Sequence, residues 1–168
     1  IDSANLKSGN ITEELLENYF VLVSSLVVRK EVLNDLDFIF DNRFTIIGDF
    51  DLVFRLSLIS EIASINRKIA TYRWHSSNTG LNANYKTSDE LNIWVEENRK
   101  QLVLMRKKSR DKFYKKVQSY NLVKYAYRGN RLKLLKILTS LDFLQIIKAL
   151  LAIVLPNFIV KMWLDRDS

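Results

Sequence analysis

The chain of 168 residues has no cysteine, one proline, four glycines and one histidine. The missing cysteines exclude a disulfide scaffold and any thiolate metal site, and they suit a reducing compartment. So few chain breakers leave room for a largely helical second half. No basic-then-apolar leader is visible: the first residues read Ile1-Asp2-Ser3, and a fragment of a longer protein is expected. A long uninterrupted apolar run is also missing. Leu144 to Trp163 is broken by Gln145, Lys148, Asn157 and Lys161, and Pro156 interrupts the stretch between the two lysines. A spanning helix needs ~20 mostly apolar residues. This run reads instead as an interfacial or packed helix pair.

What is present is an ordinary globular mixture, 48% hydrophobic and 27% charged, long enough for a domain with a real core. The formal charge of +7 is uneven. Residues 1–85 carry 8 Lys/Arg against 11 Asp/Glu, residues 86–136 carry 15 against 5, and residues 137–168 carry 3 of each. The positive excess therefore belongs to the middle of the chain, and recognition of an acidic partner is expected there.

Thr12 before Glu13-Glu14 predicts a short helix with a hydroxyl cap and an acidic first turn. Tyr19 to Val28 is apolar and β-branched around Ser24 and Ser25, and reads as a buried strand. Lys30 to Leu36 predicts one or two helical turns, and Asp35 to Thr45 a loop. Ile62 to Ile65 and Lys68 to Trp74 read as two short strands, followed by the turn-rich Ser76–Gly80. Ser88-Asp89-Glu90 can cap a helix in which Leu91, Trp94, Val95, Leu102 and Met105 keep a helical spacing. Phe113, Tyr114, Val117 and Tyr120 continue an apolar stripe among lysines, Gly129-Asn130 breaks it, and Leu132–Leu141 is a further helix.

One stretch organises the rest. Ile46-Ile47-Gly48 runs into Asp49, and Phe50, Leu52, Val53, Phe54 and Leu56 follow at apolar positions. An Asp after Gly, just before such a run, predicts a helix N-cap. Asp51 and Arg55 then share a face, four residues apart, acid before base. Further on, Tyr72-Arg73-Trp74-His75 ends an apolar run. This Gly-Asp-Phe-Asp-Leu-x-x-Arg-Leu segment, with Tyr-Arg-x-His after it, resembles the second half of the catalytic domain of family-2 glycosyltransferases. Ser24–Leu33 and Phe40-Asp41-x-Arg43-Phe44 resemble the same family in the same order, so the likeness covers roughly residues 10–85.

The resemblance implies an α/β fold, a partial GT-A glycosyltransferase domain with few strands over residues 1–85, followed by a mostly α-helical C-terminal region over 86–168. It implies that Asp49 takes the proton from an acceptor hydroxyl and that His75 lies near a donor diphosphate and its metal. Gly48 departs from the family, where a Glu often stands. A divalent cation, Mn or Mg, is expected to be held mainly by a nucleotide-binding N-terminal half that this chain lacks, so the chain alone is expected to be inactive. Three Asp-x-Asp pairs occur, at Asp35/Asp37, Asp49/Asp51 and Asp165/Asp167, but eleven Asp residues give about one by chance, and none is assigned as the metal motif.

The residue types fit that chemistry. Inverting glycosyl transfer needs a carboxylate base and something to neutralise the departing diphosphate. Asp51 and Arg55 are either acceptor contacts or a solvent-facing pair. Trp74 can stack on a sugar face, and Arg73 can pair with a carboxylate or with phosphate. The basic middle fits an anionic membrane surface, a solvated helix face, or nucleic acid, and the apolar tail downstream favours lipid. The expectation is an inverting enzyme using a nucleotide sugar such as a UDP-sugar and a glycan or lipid-linked acceptor. It would act in bacterial cell-surface polysaccharide or glycolipid synthesis, in the cytoplasm and peripheral on the inner face of the plasma membrane. The alternative is a non-enzymatic helical interaction module.

Overall fold

A computed structural model describes residues 7–67, 69–71, 73 and 84–166. Among them are nine α-helices: α1 (Thr12–Glu17), α2 (Lys30–Asn34), α3 (Gly48–Ile59), α4 (Asn84–Glu97), α5 (Arg99–Leu104), α6 (Lys107–Tyr127), α7 (Arg131–Ile137), α8 (Phe143–Val154) and α9 (Asn157–Arg166). The described part is all-α, which corrects the expectation of an α/β GT-A domain. Its one β pairing is an isolated antiparallel bridge between Gly9 and Ile62. The expected strand at Tyr19–Val28 is irregular chain around a 3-10 turn, Val23–Ser25. Ile62–Ile65 contributes only the bridge, and of the expected strand Lys68–Trp74 the described residues, 69–71 and 73, form none. The physical reason is the lack of a neighbour: a β-branched run becomes a strand only when another edge takes up its N–H and C=O groups.

Helix α6 is the axis. At 21 residues it is about 30 Å long, and α1, α4, α7, α8 and α9 all pack against it. Its first half presents Phe113 and Val117 to a core made of Leu16, Phe44, Ile47, Phe50, Phe54, Leu91, Trp94 and Leu102. That core draws on both the acidic first segment and the basic second one. Aromatic rings dominate it. Phe50 stacks on Phe113 at 5.7 Å between centroids, meets Tyr19 edge-on at 5.5 Å, and lies 4.9 Å from Trp94. The second half of α6 gives Leu122 and Ala126 to another core, with Leu134, Leu141, Ala149, Ala152 and Val160. Gly129 ends the helix with φ of +64°, a left-handed value that favours glycine, and Asn130 N–H reaches back to Tyr125 O at 2.9 Å.

Polar groups join these layers. Thr12 does not cap α1. Its hydroxyl donates to Ser57 O on α3 at 2.9 Å. The acids of α1 instead serve α6: Glu13 accepts Arg106 N–H at 2.9 Å, and Ser109 Oγ donates to both Glu13 and Glu17. Ser88, expected as a cap, is buried inside α4 and donates to Asn121 of α6 at 2.6 Å.

The most heavily bonded carboxylate is Glu90 of α4, which is 3% exposed. Its Oε1 accepts Thr45 N–H (3.0 Å) and Thr45 Oγ1 (2.9 Å). Its Oε2 accepts the N–H groups of Ile46 (2.8 Å) and Ile47 (3.0 Å). These amides lead into α3 and have no helical acceptor of their own. Burial alone pushes the Glu90 pKa up, and the backbone and hydroxyl donors outweigh it and hold the group below its ordinary value. Glu90→Gln keeps one acceptor oxygen and turns an NH2 toward amide donors, so it is expected to lower unfolding free energy by about 2–4 kcal/mol at neutral pH. Because the folded pKa is depressed, this contribution is complete above the unfolded value of about 4.3 and fades as pH falls through the folded one. Urea melts of parent and variant over a pH series should show a gap that is constant at neutral pH and closes in acid.

Candidate functional site

The first turn of α3 carries the acid expected to do chemistry. Asp49 is the second residue of the helix rather than its cap. The N-cap position is Ile47, which has no side-chain cap, and Glu90 holds the amides that lead up to it. Asp49 Oδ1 accepts the adjacent Phe50 N–H at 2.8 Å. The side chain is half-buried, and no cation pairs with it among the described residues. Desolvation therefore dominates and raises its pKa, opposed by the Phe50 amide, the Tyr19 hydroxyl and its own amide.

Tyr19 is the neighbour that sequence reasoning missed. Its hydroxyl is buried without a hydrogen bond of ordinary geometry, yet it lies close enough to the Asp49 carboxyl for each group to shift the other. Burial first, and then the Asp49 charge, push the Tyr19 pKa well up, so it stays a neutral O–H. On another side of the turn, the exposed Phe40 ring lies 3.9 Å from where a Cβ on Gly48 would sit. Asp49 thus stands at a helix start bordered by two aromatic rings.

Asp51 and Arg55 have different tasks. Asp51 is only 4% exposed; its Oδ1 accepts Trp94 Nε1 at 3.0 Å and its Oδ2 accepts Arg55 Nε at 2.9 Å. Arg55 also donates to Phe38 O and Ile39 O, each at 2.7 Å, and covers the Phe38 ring at 4.5 Å. The pair is neither a solvent-facing bridge nor an open acceptor contact. It ties α3 to α4 on one side and to the loop of residues 35–45 on the other. Arg73 is exposed. Trp74 and His75 lie outside the described residues, so α3 brings together Asp49, Asp51 and Arg55 alone of the expected set.

A sequence signal for Glu90 did exist. It stands one helical turn before Trp94, on the same face, where a charged group is buried only if it is bonded. Tyr19 had none, because its closeness to Asp49 depends on how α1 and α3 cross. Among the described residues no three His, Cys, Asp or Glu side chains gather into a donor set for a metal. The divalent cation implied by the resemblance is therefore not placed on these residues, and no step is derived through it.

Three carboxylates within one small region thus differ in kind, and they should respond differently to neutralisation. Asp51→Asn breaks a buried ion pair and leaves Arg55 or Trp94 poorly matched, at a cost of about 3–5 kcal/mol. Asp49→Asn removes a charge whose surroundings favour the neutral form, keeps an oxygen for Phe50 N–H, and should melt no lower than the parent at neutral pH. Thermal melts of the two variants measured side by side check this contrast. Comparison with known protein families, with curated proteins and with solved structures finds no match to this chain.

Proposed function

We propose that the chain supplies acceptor activation in an inverting, nucleotide-sugar-dependent glycosyltransferase of bacterial cell-surface polysaccharide or glycolipid synthesis, with Asp49 as the general base. One observation carries the reading: a half-buried carboxylate of raised proton affinity sits on a helix turn that is anchored from both flanks. A base works best when its pKa is lifted toward the working pH and its position is fixed. The ordered resemblance over residues 10–85 points to the same residue.

In this mechanism an acceptor hydroxyl approaches Asp49. Its oxygen bonds to the anomeric carbon of the donor while its proton passes to the carboxylate. The bond from that carbon to the diphosphate oxygen breaks on the opposite face, and the nucleoside diphosphate, UDP for a UDP-sugar, leaves with the electron pair. Phe40, exposed beside Gly48, is suited to stack on the apolar face of an acceptor sugar. Asp51 and Arg55 support the helix that presents the base. His75 keeps the role near the donor diphosphate that the resemblance implies, and Arg73 and Trp74 remain substrate contacts. No helix among the described residues is long and apolar enough to cross a membrane, and we place the enzyme in the cytoplasm, peripheral on the inner face of the plasma membrane.

The all-α architecture of the described residues favours a second reading, an interaction module without chemistry. Nucleic acid is the weaker partner for it, because several cations of the basic segment are engaged internally: Arg106 with Glu13, Lys112 with Glu17, Lys115 with Asp142 and Lys124 with Asp89.

Transfer from a UDP-sugar panel to lipid-linked acceptors by the intact enzyme separates these readings. Asp49→Asn should lower kcat by about 10²–10⁴-fold while the protein remains folded. In the parent, kcat/KM should rise with pH through a pKa above the ordinary Asp range, since only the ionised carboxylate can take the proton; the variant should lack that limb. Near-normal turnover in Asp49→Asn removes the base role, and the absence of transfer with every donor favours the module.

A further inference from the structure

Helix α8 is apolar on both sides. Its inward side carries Ala149 (0% exposed) and Ala152 (4%), flanked by the partly buried Ile146 and Ile153, against the second core. Its outward side carries Phe143 (76%), Leu144 (71%), Ile147, Leu150, Leu151 and Val154 (77%). At 100° per residue these six fall within one stripe about 120° wide. No Asp or Glu occurs between Phe143 and Asp165. After the corner at Pro156, Phe158 and Met162 on α9 are exposed one turn apart and extend the apolar surface. A face of this composition on a water-exposed helix marks a contact surface.

What borders the face indicates its partner. The α6–α7 turn and α7 present the exposed cations Arg128, Arg131, Lys133 and Lys136 together with Leu132 (75% exposed). Arg131 and Gly129 of this segment adjoin the α8–α9 corner. Arg131 donates to Leu155 O at 3.5 Å, and a Cβ on Gly129 would sit 3.1 Å from the Asn157 amide. Unlike Lys112, Lys115 and Lys124 of α6, Lys133 and Lys136 have no carboxylate partner among the ion pairs of the described residues. Exposed large apolar side chains beside unneutralised cations, on helices of 12 and 10 residues, match the interface of an anionic bilayer, where rings and aliphatic chains enter the acyl boundary and cations meet phosphate. A protein partner would need acidic groups set around an apolar groove; a lipid surface supplies both features everywhere.

We propose that the outward face of α8, continued by Phe158 and Met162 and bordered by the cations of α7, is an anionic-phospholipid docking surface that holds the protein flat on the membrane. It names the contact surface for the peripheral seat placed above and does not depend on the role of Asp49. Flotation with phosphatidylcholine vesicles, with and without phosphatidylglycerol, tests it on the whole chain. The parent should float with the anionic vesicles, less so as salt rises, and hardly at all with phosphatidylcholine alone. Ile147→Gln with Leu151→Gln should weaken binding by about tenfold or more with helicity and melting unchanged. Lys133→Gln with Lys136→Gln should weaken it by about fivefold per charge and flatten the salt dependence. Asp49→Asn should float like the parent, so a failure of the catalytic reading leaves this result intact. Flotation unaffected by the α8 pair, equal binding to both vesicle types, or no binding to either overturns the proposal. So does a doubled mass in light scattering that the α8 pair returns to monomer, which would make the face a contact between two copies.

Discussion

Everything near the candidate site depends on one buried carboxylate that takes no part in chemistry. Glu90 reaches from α4 to the three residues that lead into α3 and fills its lone pairs with four donors. Without it, Thr45, Ile46 and Ile47 would bring unsatisfied amides into the interior, where each costs about 1–3 kcal/mol. The cap is borrowed from a residue more than forty positions away, so α3 can start where it does only if α4 is already beside it. Local helix formation and tertiary packing are therefore one event here, as expected for a helix of 12 residues that would be marginal alone.

The same small region holds three acids in three states of satisfaction. Glu90 is buried and saturated with donors. Asp51 is buried and divided between Trp94 and Arg55. Asp49 is half-buried, bonded to the neighbouring amide, and faces a phenol that burial keeps neutral. The first two hold the helix start in place; the third has surroundings that favour a proton. A fold selected for stability alone has little reason to desolvate a carboxylate without a cation. The contrast with its two neighbours therefore supports a use for Asp49 more strongly than its place in the sequence does.

The helical half of the molecule was legible because helices announce themselves locally. Gly-Asp before Phe50, Leu52 and Val53 located α3 to within a residue, and the spacing of Leu91, Trp94 and Val95 located α4. Errors came where the deciding partner was distant. Tyr19–Val28 and Ile62–Ile65 have the composition of buried strands, and no periodicity within them reveals whether another edge lies alongside. Asp49 and Ser88 both looked like caps because short polar side chains before apolar runs usually are. Glu90 had already taken the first role, and Asn121 had drawn the second hydroxyl into the interior. Asp51 and Arg55 were placed correctly as a pair four residues apart, but the indole of Trp94 and the carbonyls of Phe38 and Ile39 turn that pair from a surface feature into a brace.

The two cores along α6 also separate two physical demands. Around Phe113 the large aromatic side chains point inward, and several surface charges are paired, Arg106 with Glu13 and Lys112 with Glu17 among them. Beyond Leu122 the pattern changes at α8: Ala149 and Ala152 face inward with Ile146 and Ile153 at their flanks, and Phe143, Leu144, Ile147, Leu150, Leu151 and Val154 face out. The small inward residues let α8 lie close to its neighbours while Ile146 and Ile153 pack at their flanks, and the exposed side chains of its outward face leave much apolar area in water. The same residues with leucine inside and alanine outside would make a more stable water-soluble bundle. On the proposed docking, the large outward groups, next to cations with no carboxylate partner among the ion pairs of the described residues, meet a medium less polar than water that carries negative charge. The outward face of α8 is thus what the proposed lipid contact would use, as the aromatic core around Phe113 uses the inward faces of α3, α4 and α6.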